Sequence, residues 1–428
     1  MKSNEFEKSP ALITLIRLCS VIVLFILAGA AIASGDAGEV DSMVTNPLPG
    51  AYKILTNDGK IEFPFEIFRG DIRFACKVNG RQVQMLLDDG FMWDQLLFWG
   101  SPDLDSLGLA YDGEIAVGDD KSEKLASKTA SGITVAFPGV EFTEQTAVIT
   151  PFSSRNSIMW RGSIGQISAT LFKHFVVDIN FDKMIITLTE PENFKYGGKG
   201  VEIPWEPLGF GPWSIPATLQ MEDGCKISLK LMMDLGYNDQ LQLAVGGESN
   251  ITLPEKKLPA SLGFNIQGVE TRGFIGRLPQ IDIGGYQIKD LITSFVAEEH
   301  SNQAVYEAMV GLGLLSRFNL VFDYHRQRLF IEPNHSFGEP FEYNMSGITT
   351  EMTLDGKCVI KNVHKFSPAD KAGLQEGDII LKINDKMIKD YDFFDLHSLF
   401  KQKGMKINLL IGRDGMEMKV TLILRRVI

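Results

Sequence analysis

Cysteine is scarce in this chain, and the few present do not form a framework. Four of the 428 residues are cysteine. Cys19 lies in an apolar N-terminal run, which leaves Cys76, Cys225 and Cys358 beyond it. Three thiols cannot all pair within one chain, and none are spaced CxxC, so a disulfide scaffold is excluded. Histidine is equally sparse: His174, His300, His325, His335, His364 and His397 are scattered, with no pair at zinc-ligand spacing. No metal is expected. The chain also has no P-loop, no GxSxG and no glycine-rich dinucleotide fingerprint after a strand, and no cofactor is expected. Positive charge is in deficit. The net charge is −12 and the pI about 5.1. No dense basic run offsets that acidity, so nucleic acid is not expected as a partner.

What is present suffices for sizeable cores. Hydrophobic residues make up 44% and charged residues 22%, as in ordinary globular domains. The first residues differ from the rest. Lys2, Lys8 and Arg17 precede the uncharged run LCSVIVLFILAGAAIA, and Ala31-Ile32-Ala33 supplies small residues at its end. This pattern predicts an export segment over 1–34, read either as a cleaved signal peptide or as an uncleaved membrane anchor. The expected location is the periplasm or cell envelope. Membrane contact is expected only through this segment if it is retained.

From about residue 61 to 340, short alternating or wholly apolar runs dominate: FPFEIF, DIRFACKV, RQVQMLLD, ITVAF and TAVIT. They predict a mostly β body, punctuated by Gly, Asn and Asp turns. Two passages recur. LLDDGFMWDQLLF at 86–98 resembles MMDLGYNDQLQL at 232–243. IGQISATLFKHFVVDINFDKMIITLTEP at 164–191 resembles LGLLSRFNLVFDYHRQRLFIEP at 312–333. Asp88 and Asp234, and Phe175 and Phe318, are separated by nearly equal offsets of about 145 residues. Duplication is therefore expected, with β lobes over 60–196 and 197–340. Paired about a pseudo-twofold axis, Asp88 and Asp234 would meet. Two carboxyls in contact cannot both ionise cheaply, so they would share a proton, one acting as base and the other as acid.

These residues resemble the bacterial retropepsin-like aspartic peptidases with two lobes in one chain. The resemblance runs through Val78-Asn79-Gly80 and Leu86-Leu87-Asp88-Asp89-Gly90, then Met232-Met233-Asp234-Leu235-Gly236. It implies catalysis by Asp88 and Asp234 through an activated water. It implies loop support from Asp89, Gly90, Leu235 and Gly236, and from the apolar-Gly pairs Ile164-Gly165 and Leu312-Gly313. Segment 268–290 looks like a glycine-rich flap with its following strands; LASKTASGITVAF is its weaker counterpart. The family places Thr or Ser after each Asp, where this chain has Asp89 and Leu235, and small residues where it has Phe91 and Tyr237. Two functions stay open: an exported aspartic-type endopeptidase, or a degenerate relative that binds polypeptides without cleaving them.

Beyond Tyr343 the pattern changes. FSPADKAGLQEGDIILKINDKMI at 366–388 encodes a short helix, a tight turn and an alternating strand. A second helix is expected from about Tyr391 to Lys401, followed by a hairpin around Arg413-Asp414-Gly415. This stretch resembles a bacterial PDZ domain over 341–428. The resemblance implies a peptide-binding edge at Met345, Ser346, Gly347 and Ile348, whose N–H groups would capture a protein C-terminus. A polypeptide substrate or chain end is thus the expected partner.

Overall fold

The computed structural model describes residues 52–428, apart from 57–58, 91–93, 118–123, 152–161, 209–211, 247–249, 265–268, 298–306, 354, 392–395 and 397. The N-terminal run over 1–34, Phe91 and part of the flap-like segment lie outside the described residues. So does much of the second PDZ helix, of which Leu396, Ser398 and Leu399 are helical.

The molecule is mostly β, with barrel-like sheets followed by a PDZ domain. Alternation produces the strands. In Ile61–Phe68 the residues Ile61, Phe63 and Phe65 are buried, while Glu62, Pro64 and Glu66 are exposed. Turn chemistry joins them. Asn79 and Gly80 both adopt positive φ, at 47° and 79°, and link Asp71–Val78 to Arg81–Leu87. Asp414 and Gly415 do the same, at 50° and 78°, between Lys406–Arg413 and Met416–Ile423. Both positions of a two-residue hairpin turn of this type need positive φ, which Asn-Gly and Asp-Gly tolerate best.

The body contains a 14-stranded and an 8-stranded sheet. One order of pairing occurs in both. In the first, Arg81–Leu87 runs parallel to Gly165–Ile167, which pairs antiparallel with Leu96–Trp99, itself parallel to Val140–Thr150. In the second, Lys226–Asp234 runs parallel to Ala308–Gly311, which pairs antiparallel with Leu241–Val245, itself parallel to Tyr286–Ala297. A long hairpin completes each set: Leu125–Phe137 with Val140–Thr150, and Glu270–Ile283 with Tyr286–Ala297. Strands Val201–Pro204, Phe318–Asp323 and Arg328–Pro333 come from the later half of the body yet join the first sheet, where Phe318–Asp323 pairs with Val176–Asn180. One hydrophobic core runs through both halves.

The PDZ domain has its own six-stranded sheet and its own core around Ile360, Ile380, Ile383, Leu396, Ile407 and Ile411. Ser367 caps its short helix Pro368–Lys371 by accepting a hydrogen bond from the Asp370 N–H. No helix among the described residues is long and apolar enough to cross a membrane.

Candidate functional site

Asp88 and Asp234 meet. Each follows or ends a strand held in parallel register by a short partner: Leu87 opposite Ile167, and Asp234 opposite Gly311. The loops then approach each other reciprocally. A Cβ on Gly90 would lie 2.4 Å from Asp234 Cγ, and one on Gly236 would lie 2.5 Å from Asp88 Cγ. Only glycine leaves room for the opposing carboxyl group at either position.

The carboxyls are held differently. Asp88 is half-buried; its Oδ2 accepts from Gln166 Nε2 at 2.8 Å, and its Oδ1 has no partner. Removal from water, then the charges of Asp234, Asp89 and Asp71, hold its carboxyl well above the usual range. Burial pushes Asp234 up to about 6, against the pull of the Gly236 and Tyr237 N–H groups and a hydrogen bond with Asp88. The Gly236 N–H donates to Asp234 Oδ1 at 2.8 Å. The pair therefore keeps a proton at pH values where isolated aspartates have lost theirs.

Asp89 supplies a brace that sequence reasoning assigned to an absent hydroxyl. It is buried, and its Oδ1 accepts from the Leu235 backbone N–H at 2.6 Å, bridging the two loops. The missing donor on the Leu235 side chain does not matter to this bond, because the backbone donates. Leu235 instead buries its side chain in the main core. Burial pushes Asp89 up to about 7, opposed by the Leu235 N–H. An aromatic cluster adjoins it, where Tyr324 meets Trp205 and Trp213 edge to face at 4.2 and 5.1 Å and Phe172 at a tilt at 5.2 Å. Burial and then Asp89 raise the Tyr324 hydroxyl well above its usual range.

The structure sorts the predicted supports. Gly165 is packed tightly; a Cβ there would meet Leu97 O at 2.1 Å, and the neighbouring Ile164 is buried. In the second set the tightest glycine is Gly311, not Gly313. A Cβ on Gly311 would lie 2.2 Å from Tyr237 O, against 2.9 Å from Asn238 O for Gly313. Leu312 and Gly313 instead begin the short helix Leu312–Leu315. Gln166, which holds Asp88, was also missed. Its signal was its place one residue after Gly165 on the partner strand. Among the described residues, no cluster of His, Cys, Asp or Glu is arranged to hold a metal ion.

The PDZ edge differs from expectation. Among the described residues, Ile348–Met352 is the terminal strand of its sheet and pairs with Cys358–Val363 alone. The preceding loop has spent most of its N–H groups. Met345 donates to Phe400 O at 2.8 Å, Ser346 to Asn344 Oδ1 at 2.9 Å, and Ile348 to Ser346 Oγ at 3.3 Å. Met345, Ser346, Gly347 and Ile348 are all buried. A cradle of open N–H groups for a chain-end carboxylate is not what this loop presents.

Comparison with known proteins places a PDZ domain at residues 346–424. The chain is also similar to Bacillus subtilis carboxy-terminal processing proteases. It is 26% identical to CtpB over 32% of this chain and 28% of CtpB, and 34% identical to CtpA over 20% of this chain and 18% of CtpA. A probable CtpA-like serine protease of Staphylococcus saprophyticus is 35% identical over 20% of this chain and 18% of that protein. The chain thus spans less than a third of the length of these relatives. Among solved structures, soybean basic 7S globulin aligns with a TM-score of 0.39 and 12% identity, covering 65% of this chain and 97% of that one. These relatives correct the expectation of an aspartic-type endopeptidase and of retropepsin-like membership. The matched proteins are processing proteases, one of them named as a serine protease, and serine chemistry proceeds through a covalent nucleophile rather than a carboxyl-activated water.

Proposed function

We propose that this protein captures extended polypeptide segments through its PDZ domain and serves in their proteolytic processing. The observation that carries the reading is the edge strand Ile348–Met352, which among the described residues pairs with a strand on one edge only. Its likeness to carboxy-terminal processing proteases supports the processing role. The predicted export segment supports action outside the cytoplasm, at the cell envelope.

The body serves in this reading as a rigid carrier. We infer that it arose by duplication, which the repeated pairing order supports. Asp88 and Asp234 act there as a proton-sharing pair closing the seam between the repeats, with Asp89 as the bridge. Hydrogen–deuterium exchange on the intact protein tests the capture. A bound peptide should slow exchange at the amides of 348–352 and leave those of 81–87 unchanged. Binding without protection of that strand would sink the reading.

A further inference from the structure

The loop that leads into the PDZ edge strand is tied together by a side chain of its own, Asn344. Asn344 Oδ1 accepts from the Ser346 N–H at 2.9 Å and also from Ser346 Oγ. Its Nδ2 donates to Ile348 O at 2.8 Å. Ser346 Oγ then accepts from the Ile348 N–H, and the Met345 N–H is tied to Phe400 O at the end of the second helix. The carbonyls are committed as well. Ser346 O accepts from Ala369 N–H and Gly347 O from His364 N–H. Gly347 cannot swing away freely: it sits at φ 81°, and a Cβ there would lie 2.1 Å from Ser367 Cβ. A terminal carboxylate needs two or three N–H groups converging on it. Here the Asn344 amide oxygen holds the Ser346 N–H and the Ser346 hydroxyl, and that hydroxyl oxygen in turn holds the Ile348 N–H.

We infer that Asn344 is a built-in plug of the carboxylate pocket, so that the edge strand accepts internal extended segments as well as chain ends, without reading a free C-terminus. The inference rests on the strand-capture reading above. Affinity then comes from backbone pairing along Ile348–Met352, which is indifferent to where the segment lies in its own chain.

Two random heptapeptide libraries, one displayed at free C-termini and one within a closed loop, are selected on the intact protein. Recovered sequences are synthesised as free acids and as carboxamides, and Kd is measured by fluorescence anisotropy. Both libraries should yield binders, and acid and amide should agree within about threefold, far from the tenfold that a charged terminal contact supplies. Binders from the C-terminal library alone, with the acid tenfold tighter, would overturn the plug while leaving strand capture intact. No binder from either library would overturn strand capture itself, and the plug with it. Asn344→Ala removes the plug and should create a preference for the acid of at least fivefold. An unchanged acid-to-amide ratio in a folded Asn344→Ala protein counts against the plug.

Discussion

A buried carboxylic acid at position 89 sets how the seam between the two aspartate loops responds to pH. Asp89 is buried and raised to about 7, Asp234 is raised to about 6, and Asp88 is raised further by both. The ordinary value for all three is 3.8. Between about pH 4 and pH 7 the folded protein holds protons that the unfolded chain has already released. These groups therefore favour the folded state most at the acid end, and that contribution declines as pH rises, for Asp89 through about 7. For Asp89 alone the decline is on the order of 3 kcal/mol. Asp89→Asn keeps an oxygen for the Leu235 N–H and removes the titration. Its urea midpoint, compared with wild type from pH 4 to 8, should gain steadily on wild type as pH rises. Parallel curves would mean that Asp89 carries no shifted proton. The sequence showed the two adjacent acids and their partner at Asp234. It could not show that Asp89 reaches the Leu235 backbone N–H, because that contact depends on how the two loops cross.

The strands and turns were largely legible, because alternation and Asn-Gly or Asp-Gly chemistry are local. The brace glycines were less so. The apolar-Gly pairs at 164 and 312 do not hold the same place: Gly165 begins a strand, whereas Leu312 and Gly313 begin a helix. The pairing register instead sets Val310 beside Met233 and Ile167 beside Leu87, which brings Gly311 opposite Asp234. A periodic pattern cannot rank two glycines two positions apart; the parallel ladder sets Gly311 opposite Asp234 and leaves Gly313 in the helix that follows. Neither Gly311 nor Gly313 needs a positive φ, so packing alone separates them. Gly311→Ala forces a methyl against two carbonyl oxygens, at 2.2 and 2.4 Å, and should cost about 2 kcal/mol or more by urea denaturation. Gly313→Ala, whose nearest contact is 2.9 Å, should cost clearly less. Equal losses would show that the second glycine braces the loop as much as the first.

At the scale of the whole molecule, the question is what fixes a PDZ domain that has a separate core. Both its entry and its exit are fastened to one hairpin of the body. Arg277, on Glu270–Ile283, donates to Phe341 O at 3.1 Å, to Asp290 O at 2.8 Å and to Ile428 O at 3.2 Å. Arg426 grips Glu342 through two bonds, at 2.8 and 2.6 Å, and reaches Asp290 at 3.0 Å. Ile428 and Phe341 bury themselves in the body's core rather than in that of the PDZ domain. Arg277 is thus a single half-buried cation on which linker and tail both depend. Its loss strands the Phe341 and Ile428 carbonyls and leaves Asp290 and Glu342 with Arg426 alone. Solvent reaches Asp290, so the cost should stay near 1–3 kcal/mol rather than that of a fully buried pair. The PDZ domain packs a core of its own, which does not include Arg277, so Arg277→Gln should leave it folded while loosening its attachment. Limited proteolysis should then cut the 335–345 linker several-fold faster and release a stable fragment. If the linker is cut no faster, or the PDZ domain unfolds with the body, its position rests on contacts other than this arginine.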